Sequence, residues 1–562
     1  MKKLLLLILS VLPSFLFGQM PALNWANSTD YTVNSTAVMP NGNIISGGYF
    51  SGINDFDPGA DSLKITSVGN LDMCLQMLDD SGNLIWAKGF GSAEQDVITS
   101  IVTDVDGNIF VTGYFQQTVD FDLGPGVFNL TSAGYKDIFI LKLTNTGDFV
   151  WVKQIGSLYS DIGNSIKMGL NGELLLTGEF SGTVDFGSTT ISSTLGYLGS
   201  VSVSDIFVAK LSDSGNVLWV SNAGGTGSEN GNDVTVDSQG NVYCTGDFQG
   251  LNIDFDPSAG QTLLSANPGD YDGFVMKLNA NGAVQWAYSV GGSGRDRTSS
   301  IETDAFDKVY VSGQFNGSSD FDPLGNSTTI SSTSNDVFIQ KLNADGTLVW
   351  VKLISGAGGQ ACHDMFVSET GEAYIVGYAS GDTDFDPSVN TQTITNATNN
   401  WYGYVTKLDA NGNLDWFTVF EGTINFIKSI NYDSNDNLIL SGQQYGTIDV
   451  DPTGNVTNLN VAPFSTNSAM VIKYGSNSTT AVTTVAEQEN VTLKIFPNPT
   501  QNIITIASAE NIEVINIYNF LGQSVISNIK SSKIDLTALP DGIYFVKVKT
   551  SKNEYTHKII KK

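Results

Sequence analysis

The sequence predicts an all-β protein, a seven-bladed β-propeller closed by its own N-terminal strand and followed by a small immunoglobulin-like β-sandwich. Tryptophan recurs at intervals of 61 to 68 residues, and such a period is typical of propellers or solenoids. Each interval contains four short apolar, β-branched runs separated by Gly, Asn and Asp, which is the pattern of four strands joined by turns. The recurring tryptophans are Trp25, Trp86, Trp151, Trp219, Trp286, Trp350 and Trp416.

One copy of the repeat, residues 96–151, shows how each blade is built. DVDGN separates the first two strands and TNTGD the last two, and both supply the Gly, Asn and Asp that tight hairpin turns require. A longer connection joins the second strand to the third. The predicted strands are Ile98–Thr103, Asn108–Tyr114, Asp137–Leu143 and Phe149–Gln154.

The last copy of the repeat is incomplete, and the start of the chain supplies the missing piece. After Trp416 we predict strands near 426–431, 437–442 and 469–474, with no fourth strand and no closing tryptophan. The segment ALNWANS around Trp25 has the pattern of that missing strand. We therefore expect it to close the ring, which removes the exposed sheet edges that would otherwise pair with other chains.

The repeat resembles the bacterial β-propeller repeat family. The shared elements are a tryptophan strand, a D-x-x-G-N turn and a following V-x-G, represented here by Trp86, Asp104 to Asn108 and Val111 to Gly113. The resemblance covers roughly residues 20–474 and implies the propeller fold for the predicted domain, residues 19–474. It implies little about function, because propellers host many activities.

Composition excludes several classes of function. The formal net charge of −30 argues against a nucleic-acid or anionic-membrane partner, because phosphates would be repelled. Only two histidines are present, which excludes a multi-histidine metal site. The three scattered cysteines, Cys74, Cys244 and Cys362, do not form a disulfide framework. No cofactor is expected, apart from the calcium alternative considered below.

The first 18 residues have the pattern of a cleaved secretory signal peptide. Two lysines precede an apolar run from Leu4 to Phe17, and Gly18 follows it. No later segment is long and apolar enough to be a transmembrane segment. We therefore expect a protein that is secreted, either extracellular or held at the outer cell surface.

The C-terminal residues form a separate domain. A Ser/Thr-rich linker is predicted over residues 475–490, and short alternating strands over 491–562. This segment resembles the type A C-terminal sorting domain of type IX secretion substrates in Bacteroidota. The resemblance implies export across the outer membrane, with the type IX secretion machinery as partner. The matching residues include Pro497, Asn498, Pro499, Gly522, Gly542, Tyr544, Lys561 and Lys562.

A D-F-D-P element recurs in the long connection of nearly every blade. Two carboxylates at i and i+2 could contribute to a calcium site, which needs six to eight oxygens. The alternative is that one aspartate accepts hydrogen bonds from the loop backbone while Phe and Pro pack the loop down. The residues considered for calcium are Asp254, Asp256, Asp320 and Asp322.

Ligand specificity is expected where the repeat is broken. Arg295 and Arg297 are the only arginines in the chain and flank Asp296 in a connection between blades. They could bind a carboxylate or sulfate, or form a local ion pair with Asp296 or a D-F-D-P carboxylate. Trp401 and Tyr402 could stack on sugar rings or pack beneath their loop.

These observations predict a binding or adhesion module for a surface glycan or protein, and no enzyme, because no catalytic constellation is found. Cys362 and His363 are adjacent, but no third partner completes a nucleophilic site. Two alternatives remain: a polysaccharide-degrading enzyme that uses carboxylates on the long-connection face, and a structural surface component without a discrete ligand.

Overall fold

The computed structural model describes residues 20–475 and 494–561, apart from short gaps. These residues fall into two compact units with a boundary between 478 and 479. The predicted signal peptide, and the predicted linker apart from Gly475, lie outside the described residues. The gaps are 188, 195–202, 257–259, 267–268, 293, 389, 396–399, 421, 423–424, 454, 462–467, 497–499, 501, 508–511, 520–523, 541 and 551–553.

Every regular element of the described residues is a β-strand, so the all-β prediction is confirmed. The first forty strands belong to the N-terminal unit. They are β1 Ala22–Thr29, β2 Thr32–Val38, β3 Ile44–Phe50, β4 Ile53–Asp55, β5 Lys64–Thr66, β6 Asp72–Leu78, β7 Leu84–Phe90, β8 Val97–Thr103, β9 Ile109–Phe115, β10 Thr118–Asp120, β11 Asn129–Thr131, β12 Asp137–Leu143, β13 Phe149–Ile155, β14 Ile162–Met168, β15 Leu174–Phe180, β16 Thr183–Asp185, β17 Thr190–Ser192, β18 Asp205–Leu211, β19 Val217–Ala223, β20 Glu229–Val236, β21 Val242–Phe248, β22 Ile253–Asp254, β23 Leu263–Leu264, β24 Asp272–Leu278, β25 Val284–Val290, β26 Arg297–Thr303, β27 Val309–Asp320, β28 Thr329–Leu342, β29 Leu348–Gly356, β30 Gln360–Val367, β31 Ala373–Ala379, β32 Thr383–Asp384, β33 Thr393–Ile394, β34 Tyr402–Leu408, β35 Leu414–Phe420, β36 Asn425–Tyr432, β37 Leu438–Gln444, β38 Ile448–Asp449, β39 Asn458–Leu459 and β40 Ser468–Gly475.

The long strands of this unit pair antiparallel in groups of four, the arrangement of propeller blades. The sheet that contains β26, β27, β28 and β29 continues through β32 and β33, because β29 also pairs with β32. We number the blades along the chain. They are blade 1 (β2-β3-β6-β7), blade 2 (β8-β9-β12-β13), blade 3 (β14-β15-β18-β19), blade 4 (β20-β21-β24-β25), blade 5 (β26-β27-β28-β29), blade 6 (β30-β31-β34-β35) and blade 7 (β36-β37-β40-β1).

Blade 7 contains the N-terminal strand at its outer edge. β1 pairs antiparallel with β40, from Ala22 opposite Gly475 to Thr29 opposite Ala469. The first strand of each blade also contacts the first strand of the next, and β36 contacts β2 in the same way. The described blades therefore form a closed circuit, and their first strands surround a central channel.

Apolar side chains between neighbouring blades form the core. One cluster joins Leu75 of blade 1 to Phe139 and Leu141 of blade 2. At the join between blades 7 and 1, Ile439 and Val471 pack with Ile44 and Leu78. Because both faces of a blade are covered in this way, its middle strands are apolar on both faces, as in β12, whose seven residues are all buried except Lys142.

The tight hairpin turns lie at one end of the strands of each blade, and the long connections lie at the other end. Gly107 and Gly147 have φ values of +82° and +81° in the two tight hairpins of blade 2, a conformation that glycine adopts without a Cβ clash. The long second-to-third-strand connections are largely ordered as β-hairpins, such as β10 with β11. We call the side that carries these hairpins and the inter-blade connections the long-connection face.

The C-terminal unit has two antiparallel sheets around one core. Its strands are β41 Lys494–Phe496, β42 Ile503–Ala507, β43 Ile512–Asn519, β44 Ser524–Ile529, β45 Lys533–Asp535, β46 Gly542–Thr550 and β47 Glu554–Lys561. The sheet orders are β41-β42-β45 and β44-β43-β46-β47. Both sheets contribute to one apolar cluster, for example Ile504 from the first and Ile517 and Val546 from the second. A sandwich was predicted, and its immunoglobulin-like type remains a prediction.

Three of the predicted sorting-motif residues lie in described strands. Gly542 begins β46 with φ +154° and pairs with Lys561 at the end of β47. The Tyr544 hydroxyl donates a hydrogen bond to the Pro540 carbonyl at 2.7 Å. Gly522 and Lys562, like Pro497, Asn498 and Pro499, lie outside the described residues.

Candidate functional site

The first strand of every blade carries one extra residue, a β-bulge, at the same place. In blade 2, for example, Ile98 pairs with Gly113 and Ser100 with Thr112, so Thr99 has no partner opposite it. A bulged residue is left out of the ladder and its side chain is redirected. The bulge residues of blades 1 to 7 are Asn34, Thr99, Asn164, Asn232, Ser299, His363 and Lys428.

All of these bulge residues line one cavity of about 410 Å³ in the central channel. A volume of this size is within the range of small-molecule sites, about 300 to 1,000 Å³. The repeat therefore brings one bulge side chain from every blade to a single cavity, and the type of side chain varies among the blades.

Five bulge side chains tie their blade to the next one in the same way. Each donates a hydrogen bond to the carbonyl of the residue that precedes the next bulge. In blade 1, Asn34 Nδ2 donates to Ile98 O at 2.9 Å. The other four contacts are Thr99 to Gly163 at 2.5 Å, Asn164 to Gly231 at 2.9 Å, Asn232 to Thr298 at 2.8 Å and His363 Nδ1 to Ile427 at 3.0 Å.

Lys428 departs from this pattern. Its Nζ donates to Asn34 Oδ1 at 3.2 Å rather than to a backbone carbonyl. Among the described residues, no carboxylate forms an ion pair with it. Burial lowers the Lys428 pKa to about 8, because the ammonium has left water without gaining a counter-charge.

His363 lies beside Lys428 in the ring of bulge residues. Its Nδ1 faces the Ile427 carbonyl, which can only accept, so Nδ1 carries the proton and Nε2 is an acceptor. Burial lowers the His363 pKa to about 4, and the charge of Lys428 adds to that effect. The imidazole is therefore neutral at physiological pH.

An ion pair lies among the other channel residues. Lys167 Nζ is 2.6 Å from Glu302 Oε1. Burial lowers the Lys167 pKa, but the charges of Glu302, Asp233 and Asp364 outweigh burial, and the net pKa is raised. The positive charge of Lys167 is thus matched by carboxylates, whereas the positive charge of Lys428 is not.

The two predicted arginines lie in the inter-blade connection at the start of β26, on the long-connection face. Arg297 Nε is 3.8 Å from Asp247 Oδ2 of blade 4, and the Arg295 guanidinium lies 5.1 Å from the centre of the Tyr271 ring. The local ion pair expected with Asp296 is not formed. Asp296 instead accepts hydrogen bonds from the Gly292 and Asn316 amides.

Of the two adjacent aromatic residues, Trp401 lies partly at the surface and Tyr402 lies in the core. Tyr402 is buried, and its hydroxyl donates to the Gly381 carbonyl at 3.2 Å; its predicted stacking role therefore gives way to packing. Trp401 is 36% exposed. Its ring meets Tyr378 edge to face at 5.0 Å between centroids, so part of the indole is fixed while part faces solvent.

Tyr378 connects this surface aromatic to the channel. Its ring also lies 5.1 Å from His363 and 4.8 Å from Phe426, both in first strands. Burial raises the Tyr378 pKa, and the charge of Arg297 opposes that rise, so Arg297 acts on the same region. We call Arg297, Tyr378, Trp401 and Phe426 the mouth cluster.

The D-F-D-P carboxylates hold the long connections in place. In six copies the first aspartate accepts the backbone amides of residues i+2 and i+8. Asp320 Oδ1 accepts from Asp322 and Thr328 at 3.0 and 2.7 Å. The corresponding pairs of contacts occur at Asp55, Asp120, Asp254, Asp384 and Asp449.

The phenylalanine between the two aspartates, such as Phe321, is buried. Within the described ranges, no group of three or more His, Cys, Asp or Glu side chains is arranged to hold a metal ion. The geometry therefore accounts for Asp254, Asp256, Asp320 and Asp322 as loop residues, and calcium binding stays a prediction for experiment.

The channel residues His363 and Lys428 were not predicted as a site. A signal for them exists, because the bulge position carries Asn, Thr or Ser in five blades and changes only at these two. Finding it requires knowing that this one column of the repeat faces the channel. Cys362, next to His363, is buried and its Sγ contacts Ser312 Oγ at 3.1 Å, with a pKa raised by burial to about 12.

Comparison with known proteins identifies the C-terminal unit. Residues 494–562 match the model of the secretion system C-terminal sorting domain. The sorting-domain prediction is thus confirmed. Such a domain implies an exported protein, secreted or placed on the outer surface by the type IX system. No helix in the part of the chain that the structure describes is long and apolar enough to cross a membrane.

Two curated proteins are similar to much of the chain at low identity. It is 24% identical to an uncharacterised WD repeat-containing protein of Acanthamoeba polyphaga mimivirus, over 86% of this chain and 41% of the relative. It is 22% identical to the regulatory protein FlaEY of Caulobacter vibrioides, over 62% of this chain and 36% of the relative. The chain therefore spans less than half the length of these relatives.

Similar solved structures come from Bacteroides. One is a protein of unknown function from Bacteroides caccae, 12% identical, covering 59% of this chain and 92% of that chain, with a TM-score of 0.27. Another is the extracellular domain of a putative one component system from B. thetaiotaomicron, 12% identical, covering 97% and 99%, with a TM-score of 0.16.

Proposed function

We propose that this exported protein is a binding module that recognises a surface glycan through the mouth cluster and does not turn its ligand over. The observation that carries the proposal is Trp401, which is 36% exposed and packs edge to face on Tyr378 at the long-connection face. A rigid aromatic ring with one free face binds sugar rings at a small cost in conformational entropy.

The neighbouring arginine gives the surface a preference for acidic sugars. Arg297 is 40% exposed along its side chain, and its only carboxylate neighbour within 4.0 Å among the described residues is Asp247, at 3.8 Å. Its Nε is buried without a hydrogen-bond acceptor in that part of the chain. A guanidinium with unused donors favours a ligand carboxylate or sulfate.

Binding is favoured over the two alternatives by how the carboxylates are used. A glycosidase needs a pair of carboxyl groups facing one sugar ring, whereas the aspartates of the long-connection face mostly accept backbone amides, as Asp320 does. A purely structural role makes no use of the exposed part of the Trp401 ring beside Tyr378 or of the Arg297 Nε, which lacks a hydrogen-bond acceptor among the described residues.

The proposal is tested with the full mature chain on a glycan array that includes the surface polysaccharides of the source organism. We expect retention of acidic glycans, a loss of at least tenfold in affinity for Trp401→Ala, and a smaller loss for Arg297→Gln. The matched control is Tyr135→Ala, because Tyr135 is 72% exposed in the corresponding connection of blade 2.

Three outcomes would contradict the proposal. Release of shortened saccharides during incubation would make the protein an enzyme. Equal binding by the Trp401→Ala and Tyr135→Ala variants would place the site elsewhere. Retention of protein ligands in place of glycans would exclude the carbohydrate assignment.

A further inference from the structure

We propose that Lys428 and His363 form a second ligand site, inside the central channel, for a small carboxylic acid that carries a hydroxyl group. This channel subsite is separate from the mouth cluster and does not rest on the proposed glycan binding. An unmatched charge, a free hydrogen-bond acceptor and a cavity come together at these two neighbouring bulge positions.

The unmatched charge belongs to Lys428. An ammonium group has three N–H donors, and the described residues supply one acceptor, Asn34 Oδ1 at 3.2 Å. Five of the other six bulge side chains are used differently, because they donate to backbone carbonyls, as Asn34 Nδ2 does. Two donors of a partly buried cation therefore remain for a ligand, and a carboxylate is the group that such a cation prefers.

The acidic side chains of the channel do not supply the counter-charge. Glu302 pairs with Lys167 at 2.6 Å. Asp364 accepts the amides of Met365 and Ile430, and Asp233 accepts the Ile301 amide and hydroxyls of neighbouring blades. Each carboxylate is thus committed to another partner. The excess of negative charge in the chain as a whole does not neutralise Lys428.

The hydroxyl preference comes from His363. Its Nδ1–H is committed to the Ile427 carbonyl, and its Nε2 lone pair has no partner among the described residues. A neutral imidazole nitrogen accepts a hydrogen bond from a ligand hydroxyl. Because His363 and Lys428 occupy adjacent bulges and line the same cavity, one hydroxy acid can reach both.

The cavity limits the size of the ligand. Its volume of about 410 Å³ suits a monosaccharide or smaller acid better than an oligosaccharide, since drug-sized ligands fill sites of about 300 to 1,000 Å³. Uronic acids combine the required carboxylate, hydroxyls and size. D-Galacturonate is therefore a suitable probe, and D-galactose is the matched compound that lacks the carboxylate.

Protonation of Lys428 should control this binding. The charged groups around it are Asp364 on β30, Asp233 on β20 and the Lys167–Glu302 pair on β14 and β26, while His363 is neutral above pH 5. A carboxylate ligand prefers the ammonium form, so affinity should fall as the pH rises through about 8, the pKa of Lys428. A site formed by arginine would show no such fall.

The experiment is calorimetric titration of the full mature chain with D-galacturonate and D-galactose at pH 7 and pH 9. We expect galacturonate to bind at pH 7, about tenfold more weakly at pH 9, and galactose to show no binding. Lys428→Met should abolish the pH-dependent binding of galacturonate, and His363→Phe should weaken that binding severalfold. Lys64→Met, which removes an exposed lysine, is the control and should bind like the wild type.

Folding is checked by the melting temperature, which should rise in Lys428→Met because an unmatched, partly buried charge is removed. Trp401→Ala should leave the pH dependence of galacturonate binding unchanged, and Lys428→Met should leave glycan-array binding unchanged, so that the two proposals fail separately. Equal binding by Lys428→Met and the wild type, equal binding of galactose, or no binding of galacturonate at pH 7 would overturn the channel subsite.

Discussion

The indole Nε1 of Trp25 donates a hydrogen bond to the carbonyl oxygen of Asp80 at 3.0 Å. These residues belong to blade 7 and blade 1, at opposite ends of the repeat array. The same contact joins neighbouring blades along the chain, where Trp219 donates to Ala280 at 3.1 Å. The join between the first and last blades is therefore built like an ordinary contact between consecutive blades.

Replacing Trp25 should destabilise the closed circuit of blades. Trp25→Ala removes both the indole hydrogen bond and the packing of the ring against the cluster of Ile44, Leu78 and Val471, and we expect a loss of about 2 to 3 kcal/mol in the free energy of unfolding. Trp25→Phe keeps a ring and loses the hydrogen bond, so the expected loss is about 1 kcal/mol. Urea unfolding followed by circular dichroism measures both.

The control for this series is Trp401→Ala, which removes a partly exposed tryptophan far from the join. If Trp25→Ala unfolds at the same urea concentration as Trp401→Ala, the N-terminal strand does not contribute to the stability of the blades.

A second prediction concerns the buried carboxyl pair Asp205–Glu229 between blades 3 and 4. Both side chains are almost fully buried, and Asp205 Oδ1 and Glu229 Oε1 have no hydrogen-bond partner among the described residues. Burial, together with the nearby charge of Asp205, raises the Glu229 pKa to about 9. Glu229 is therefore protonated at neutral pH in the folded protein.

The sign of the pH effect follows from the proton balance. Between about pH 4.5 and pH 9 the folded protein holds a proton on Glu229 that the unfolded chain releases, so stability falls as the pH rises, by at most about 1.4 kcal/mol per pH unit. Glu229→Gln mimics the protonated acid and should flatten this fall, matching the wild type near pH 5 and exceeding its stability at pH 9. Melting temperatures from pH 5 to 10 measure the difference.

Glu94→Gln, which changes an exposed glutamate in the connection between blades 1 and 2, should leave the pH dependence of the wild type unchanged. A Glu229→Gln variant that loses stability in parallel with the wild type between pH 5 and pH 9 would contradict the assignment of this proton to Glu229.

The repeat in the sequence predicted most of the fold, because hydrophobic periodicity and turn residues are local signals. The predicted strand Asp137–Leu143 agrees with β12 at both ends, and the strand around Trp25 pairs where expected. The site was harder to predict. Tyr402 breaks the repeat, yet it is buried. Lys428 has the sequence pattern of an ordinary strand lysine, and only the β-bulge, which the sequence does not reveal, places it in the channel.

The third prediction separates the two interpretations of the D-F-D-P element. Hydrogen bonds from the Asp322 amide, Ser327 and the Thr328 amide lower the Asp320 pKa against the effect of burial. Asp320→Ala should therefore cost about 1 to 3 kcal/mol, because two amides lose their acceptor. Chelator should leave the melting temperature of the wild type unchanged.

Asp185→Ala is the matched control, because among the described residues Asp185 accepts only the Gly187 amide, so the loss of stability should be smaller. A ligand that binds only the folded state raises stability. A fall in the wild-type melting temperature on adding chelator, restored by calcium and absent in Asp320→Ala, would therefore establish calcium binding and contradict a purely structural role.

The last prediction tests the C-terminal unit alone. Residues after 478 form a compact unit with its own apolar core, and 494–562 match the sorting domain. A reporter carrying the signal peptide at its N-terminus and residues 476–562 at its C-terminus should therefore reach the cell surface of a host with a type IX system. In a second fusion that ends at residue 553, β46 loses the partner that pairs with it from Gly542 to Lys549, and the reporter should remain in the periplasm. Surface labelling and cell fractionation measure both. Export of the shortened fusion at the same level would mean that β47 is dispensable, and retention of the complete fusion in the periplasm would mean that the blades also carry export information.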